Sequence, residues 1–147
     1  MDWPVGTESD AVRRMEVSFH ALRAASRRDI DVPLAVRRDR LKRLGALLDR
    51  HRRNFEVAIS DDFGHRSIHE TRFAESVTVE AAIKHALRHV ARWMAPRRVP
   101  TALHFRPGSN RLLPQPLGVV GIIAPWNYPL NLSLTPVVTA LAAGNLA

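Results

Sequence analysis

The fold is decided by the stretch LGVVGIIAPWNYPL, residues 117–130. Residues 117–124 form an apolar run with no polar alternation, which is typical of a strand covered on both faces in a parallel sheet. Pro125 and Pro129 then break the run and bound a short loop. Ligands of open α/β sheets bind beyond the carboxyl ends of the strands, which is where this loop falls. The stretch therefore predicts an α/β fold and places the candidate site in the loop.

A second apolar segment, residues 130–143, is predicted to be a buried helix that ends at Gly144-Asn145. Pro136 is expected to kink it or to lie in its first turn, because proline cannot donate the helical hydrogen bond. No charged residue occurs from Leu112 to Ala147, but prolines and asparagines interrupt this stretch, so no membrane span is expected. Uncovered apolar surface of this kind drives association, and we expect the 147-residue chain to be poorly soluble or oligomeric.

Upstream, apolar residues recur at three- and four-residue steps, which predicts helices. The first stripe comprises Val12, Met15, Phe19 and Leu22. A second helix, which Pro33 can open and Gly64 ends, carries Leu41, Leu44, Leu48, Phe55 and Ile59. A third begins with Ser67 and Glu70, spaced as a capping box, and stops at Pro96. Its stripe comprises Phe73, Val77, Ala81, Lys84, Leu87, Ala91 and Met94.

The segment between these helices and the apolar run has an extended period. Thr101–Arg106 and Arg111–Gln115 flank Pro107-Gly108-Ser109-Asn110, whose residues suit a turn. We therefore predict a β-hairpin here.

The composition is that of one globular domain, with 46% hydrophobic and 24% charged residues. A net charge of +8, carried mainly by arginine, invites a nucleic-acid or acidic partner. The basic residues alternate with acidic ones, however, which is typical of solvated helix faces. A non-enzymatic basic helical module that binds nucleic acid or an acidic partner is therefore the alternative, and salt-dependent binding would favour it. The first residues, Met1 to Pro4, lack the pattern of a secretory signal, so a cytoplasmic protein is expected.

The absence of cysteine from the 147 residues excludes disulfides, zinc-thiolate sites and thiol nucleophiles within them. Glu70 and Glu75 can be imagined as an acid/base pair, although the cap explains Glu70 better. The sequence has no Gly-x-Ser-x-Gly elbow, Walker loop or Gly-x-Gly-x-x-Gly fingerprint. Two histidine pairs have metal-chelating spacing but no convergent carboxylate, so no metal site is predicted: His65 with His69, and His85 with His89.

Asn127 is the candidate chemical group of the loop. A side-chain amide held between two prolines can donate a hydrogen bond to an oxygen that gains negative charge during acyl chemistry. Its neighbours Trp126 and Tyr128 either wall an apolar pocket or pack in the core. The residues alone favour a structural role for Asn127, because an asparagine in a proline-rich turn usually bonds its own backbone.

The stretch from Gln115 to Leu130 closely resembles the signature strand and loop of the aldehyde dehydrogenase superfamily, and residues 140–145 resemble its continuation. Residues 61–67 and 92–100 are most similar to the branch that contains coniferyl aldehyde dehydrogenases. The resemblance implies NAD(P)-dependent oxidation of an aldehyde, such as coniferyl or another aromatic or medium-chain aldehyde, to a carboxylic acid. It also implies three regions: helices in 1–100, an oligomerisation hairpin in 101–116, and the incomplete start of a dinucleotide-binding domain in 117–147.

The resemblance assigns roles to positions of this loop. It implies that Asn127 is an oxyanion-hole asparagine. It implies that Ile123, Ala124, Pro125 and Trp126 line the site of NAD or NADP. It further implies that the hairpin helps an intact enzyme to form homo-oligomers that act on a small-molecule aldehyde.

The family's nucleophilic cysteine and general-base glutamate have no counterpart in these 147 residues. We therefore expect an amino-terminal piece that stops before the catalytic cysteine and is catalytically incompetent as it stands. The family's remaining dinucleotide-binding strands also have no counterpart in these residues, so we do not expect this piece alone to bind NAD or NADP. A separately encoded remainder could pair with the chain and restore an enzyme.

Overall fold

A computed structural model describes residues 5–147 of the chain, with side chains from Asp10 onward. The prediction about the start of the chain, residues 1–4, lies outside the described residues. The elements, in chain order, are α1 (Val5–Arg28), α2 (Leu34–Asp62), α3 (Ile68–Thr71), a π-helical turn (Arg72–Ser76), α4 (Val77–Met94), β1 (Arg97–Val99), a 3₁₀ turn (Leu103–Phe105), β2 (Asn110–Leu112) and α5 (Pro129–Ala143).

One hydrophobic core lies between α2, α4 and α5. Leu41 and Leu48 of α2 are fully buried, as the second apolar stripe predicts. The first turn of α2 follows Pro33, also as predicted. From α4 and α5 the core receives Val79, Ile83, Ala86, Val90, Leu130, Val138 and Ala142. Burying a valine- or leucine-sized side chain contributes about 1.5–3 kcal/mol, so these contacts hold the three helices together.

Helix α1 exists, but its predicted buried stripe is wrong. Val12, Met15 and Phe19 are exposed, and no other helix or strand among residues 5–147 contacts α1. Apolar spacing identifies one face of a helix but does not show that another element of the same chain covers it.

The predicted third helix contains a π-helical turn and buries a different face. Phe73 and Val77 are exposed, whereas Val79 and Ile83 are buried. The predicted stripe is exposed at Phe73, Val77, Ala81, Lys84 and Ala91, and only its members Leu87 and Met94 pack against the edge of the core. The predicted capping box is also wrong, because the Ser67 side chain makes no capping hydrogen bond. The predicted stop before Pro96 is confirmed, since α4 ends at Met94.

The hairpin is present with a shifted first strand. β1 pairs antiparallel with β2, placing Arg97 opposite Leu112 and Val99 opposite Asn110. The predicted strand over Thr101–Arg106 is wrong, because this segment contains the 3₁₀ turn. The Thr101 hydroxyl instead accepts a hydrogen bond from the Asn110 amide, which closes a longer loop than the sequence indicates.

The apolar run 117–124 forms a single parallel bridge rather than a full strand. Val119 pairs with Leu146; the Val120 amide donates to the Leu146 carbonyl at 2.8 Å, and the Leu146 amide donates to the Gly118 carbonyl at 2.9 Å. A strand is defined by its neighbours, and no other described segment pairs with this run. The predicted parallel direction is thus confirmed at one bridge, while the predicted strand length is not.

Helix α5 is confirmed, and Gly144 ends it in the left-handed conformation with φ 91°. Pro136 lies inside the helix and beyond its first turn, so the expectation that it lies in the first turn is wrong. The buried Arg37 guanidinium donates to the Ala142 carbonyl at 3.1 Å and to the Val32 carbonyl at 2.9 Å. A cation at the carboxyl end of a helix complements its dipole. No helix among residues 5–147 combines the length and apolarity that a bilayer span requires.

A buried carboxylate ties the π-helical turn to α2. The Glu56 side chain is 1% exposed and accepts two hydrogen bonds from the Arg72 guanidinium, at 2.8 and 3.1 Å. These bonds lower the pKa of Glu56 from its ordinary value of 4.5, against the opposing effect of burial. Folding therefore favours the ionised carboxylate.

The stability of the fold is expected to depend on pH through Glu56. A lowered folded-state pKa gives stabilisation that is complete above the ordinary value of 4.5 and is lost as the pH falls through the lowered pKa. Urea unfolding at a series of acidic pH values should show a steeper loss of unfolding free energy for the wild type than for Glu56→Gln. The exposed-carboxylate variant Asp62→Asn is the control, and equal slopes for all three proteins would contradict the expectation.

Candidate active-site loop

The loop between the apolar run and α5 presents its side chains to solvent. Asn127 is exposed, and Trp126 is 85% exposed. Within residues 5–147 the Asn127 side-chain amide makes no hydrogen bond, so the local backbone bond that a proline-rich turn suggests is not found. The amide is therefore free to serve a partner that approaches from outside. Of the two alternatives for the aromatic pair, packing in the core is wrong for Trp126, which is exposed, whereas Tyr128 is partly buried.

Arg66 holds the backbone of the loop. Its Nη1 donates a hydrogen bond to the Asn127 carbonyl at 3.0 Å. Its guanidinium carbon lies 4.6 Å from the centroid of the Phe63 ring and 4.4 Å from that of the Tyr128 ring, within cation–π distance. The Arg66 side chain is only 9% exposed, although the loop that it contacts lies at the surface.

Two carboxylates meet this guanidinium. Glu70 Oε1 accepts from Arg66 at 3.1 Å and from the Tyr128 hydroxyl at 3.4 Å. Glu75 is completely buried, and its Oε1 lies 3.5 Å from Arg66 Nη1. The interpretation of Glu70 and Glu75 as an acid/base pair is therefore replaced by an ion-pair network around one arginine.

Glu75 also caps α5. Its Oε2 accepts from the Leu130 amide at 2.7 Å and from the Asn131 amide at 3.2 Å. Amides of the first helical turn have no partner within the helix, and a negative charge there is favourable. The Glu75 carboxylate thus links the start of α5 to Arg66. Arg66 in turn donates a hydrogen bond to the loop that precedes α5.

The four positions assigned to a cofactor supply apolar surface. Ile123 is fully exposed and Trp126 nearly so, while Ala124 is partly buried and Pro125 exposed. Among these side chains the single hydrogen-bond donor is the indole Nε1–H of Trp126. They fit one wall of an aromatic-ring site and supply little of the polar contact that a dinucleotide needs.

The histidine pairs do not form a metal cluster. Among residues 5–147 no group of three histidine, cysteine or acidic side chains lies close enough to hold an ion. The rings of His85 and His89 stack at 4.1 Å, and His89 Nδ1 lies 2.8 Å from the His85 carbonyl. His89 also stacks on Trp93 at 5.8 Å.

Sequence reasoning missed Arg66, and it gave Glu75 the wrong role. Arg66 is 61 residues from Asn127, and Glu75 is 55 residues from Leu130. Contacts of such separation leave no local spacing signal.

Comparisons with known proteins agree on one family. A family model described as "Aldehyde dehydrogenase family" matches residues 3–147. The probable coniferyl aldehyde dehydrogenase of Pseudomonas aeruginosa is 42% identical over 135 residues, covering 91% of the chain and 28% of that protein. Aldehyde dehydrogenase family 3 member B1 of Homo sapiens is 38% identical over 136 residues, covering 92% of the chain and 27% of that protein.

A solved structure, described as the substrate-bound state of Staphylococcus aureus AldH, superposes with a TM-score of 0.81 at 26% identity. The match covers 89% of the chain and 28% of that protein. The chain therefore spans little more than a quarter of the length of the relatives it matches.

Proposed function

The chain belongs to the aldehyde dehydrogenase family, and from this premise we propose that it supplies the oxyanion-hole asparagine of an NAD(P)-dependent aldehyde dehydrogenase. Residues 117–147 would begin the dinucleotide-binding domain, 1–100 would form its helical flank, and 101–116 would contribute to a homo-oligomer. The substrate proposed is coniferyl aldehyde or another aromatic or medium-chain aldehyde, which would be oxidised to a carboxylic acid. Relatives named coniferyl aldehyde dehydrogenases support this choice.

The observation that carries the proposal is the free amide of Asn127 on a loop whose backbone is held. When a cysteine thiolate attacks an aldehyde carbon, the carbonyl oxygen gains a negative charge. A pre-oriented amide N–H stabilises that charge without reorganising during the reaction. Asn127 is exposed, has no partner for its side chain within the described residues, and is bonded through its carbonyl to Arg66.

The cofactor positions complete the proposed site in part. Ile123 and Trp126 would pack against a flat ring, and Ala124 and Pro125 would shape the backbone beside it. NAD(P), when bound, supplies a hydride acceptor. The polar contacts to its phosphates and riboses would come from residues beyond these four.

The 147 residues are proposed to be inactive alone, because they contain no cysteine to act as the nucleophile. Purified chain should give no aldehyde-dependent formation of NADH or NADPH. A hybrid in which residues 1–147 replace the matching part of the P. aeruginosa relative should oxidise aromatic aldehydes. Robust turnover by the chain alone would refute the proposed inactivity, and a folded, cofactor-binding hybrid without activity would refute the proposed role in catalysis.

The alternative of a basic nucleic-acid-binding module has less support. Arg52, Arg66 and Arg72 each pair with carboxylates of the chain, so their charges are compensated within it. Binding to DNA or RNA that weakens steeply with added salt would revive this alternative.

A further inference from the structure

We propose that Arg66 is a positioning residue for Asn127, and that the buried carboxylate of Glu75 in turn fixes Arg66. The inference rests on the proposed function, since positioning matters chemically only if the Asn127 amide meets the substrate oxygen. It assigns these two residues to the reaction although neither touches the reacting atoms.

The first step of the argument is the contact with the loop. Arg66 Nη1 donates to the Asn127 carbonyl at 3.0 Å, while its Cζ lies 4.4 Å from the centroid of the Tyr128 ring. Arg66 therefore holds the peptide group between Asn127 and Tyr128 in two ways. It bonds the carbonyl oxygen of that group, and it contacts the Tyr128 side chain that follows. Pro125 and Pro129 restrict the backbone at the two ends of the loop. With its backbone fixed in this way, Asn127 retains only side-chain rotation.

The second step is the burial of Arg66. A guanidinium that is 9% exposed needs a compensating charge, because an unpaired buried charge is strongly destabilising. Two carboxylates supply that charge: the half-exposed Glu70 accepts hydrogen bonds from Nε and Nη2 at 3.3 and 3.1 Å, and the completely buried Glu75 lies 3.5 Å from Nη1 as an ion pair. Since Glu75 Oε2 also accepts the Leu130 and Asn131 amides, Arg66 is held in place relative to the first turn of α5.

The third step separates positioning from general stabilisation. Arg72, six residues later in the sequence and half-exposed, also pairs with a buried carboxylate, because it makes two hydrogen bonds to Glu56. No hydrogen bond from Arg72 reaches the loop among the described residues. Its removal should weaken the fold and leave the geometry of Asn127 unchanged, which makes it a matched control.

The experiment reads the Asn127 carbonyl directly. The chain contains a single tyrosine, Tyr128, which follows Asn127. Labelling with asparagine carrying ¹³C at the carbonyl and with ¹⁵N-tyrosine therefore gives one cross-peak, from the Asn127–Tyr128 peptide bond. It can be recorded in solution, or by magic-angle spinning of sedimented chain if the chain associates.

Loss of the hydrogen bond should move this peak upfield in the carbonyl dimension. We expect Arg66→Met to shift it by several linewidths and to broaden it. Arg66→Lys should give an intermediate shift, because lysine keeps the charge beside Glu75 and loses the planar fork. In Arg72→Met the peak should stay in place although the thermal midpoint falls.

An unmoved peak in folded Arg66→Met would overturn the proposal. If Arg66→Met does not fold, the charge-conserving Arg66→Lys tests the proposal instead. An unmoved Asn127–Tyr128 peak in that variant would overturn the proposal, because the peak position would not depend on the guanidinium. Failure of the proposed function has a different signature. A hybrid enzyme that keeps its rate after Asn127→Ala would remove the catalytic role of the amide while the Arg66-dependent shift persisted.

Discussion

Asn127→Ala is expected to lower kcat of the hybrid aldehyde dehydrogenase by about 10²- to 10³-fold, the loss typical of removing one oxyanion donor. The alanine leaves the backbone bond from Arg66 in place, because that bond uses the Asn127 carbonyl. The loss should therefore fall on the chemical step and not on the fold. Steady-state formation of NADH or NADPH with an aromatic aldehyde measures kcat, and fluorescence titration measures the Kd of the cofactor.

The control for this prediction is Asn54→Ala. Asn54 is an exposed residue within α2, and its replacement should leave kcat unchanged. The pattern expected for Asn127→Ala is a lowered kcat with an unchanged cofactor Kd and thermal midpoint. A kcat within a few-fold of the wild type would show that the amide is not an oxyanion donor.

Gly144→Ala is expected to lower the free energy of unfolding by about 3–4 kcal/mol, which combines left-handed backbone strain with the loss of buried hydrogen bonds to a charged group. Gly144 has φ 91°, and a Cβ added there would lie 2.7 Å from Cζ of Arg37. The buried guanidinium would have to move, and its bonds to Ala142 and Val32 would break. Urea unfolding followed by circular dichroism measures the loss.

The chain provides a matched control for backbone strain alone. Gly64 also has a positive φ, of 62°, but a Cβ there would have no atom within 4 Å. Gly64→Ala should therefore cost about 1 kcal/mol, the strain without the collision. If the two variants lose equal stability, the close approach of Arg37 to Gly144 contributes nothing.

The sequence predicted best the elements whose stability is decided locally. Helix α5 was predicted to run to Gly144, because proline starts and glycine stops a helix by their own backbone preferences. The loop between the apolar run and α5 also followed from its two prolines, whereas the catalytic role of Asn127 rests on the family resemblance and stays a prediction. The buried face of α2 also followed from spacing, since Leu41 and Leu48 belong to a stripe with no strong competitor.

The features that sequence reasoning missed depend on distant partners. The extended run around Val119 becomes a strand only to the extent that a neighbour pairs with it, and Leu146 supplies one bridge. The exposed stripe of α1 has the spacing of a buried one. Arg66 and Glu75 are near each other in the sequence, but they contact Asn127 and Leu130 across the fold, so their joint role at the loop is visible only when the helices are packed.

Helix α5 lies between a buried carboxylate at its amino end and a buried guanidinium at its carboxyl end. If α5 docked in the reverse direction, Glu75 would face carbonyl oxygens and Arg37 would face amide hydrogens, so both ends would be repelled. Close packing of the apolar side chains already favours one fit of α5 between α2 and α4, and the two charges add a preference for one direction. The charges of Glu75 and Arg37 therefore stabilise one orientation of α5 and destabilise the inverted topology.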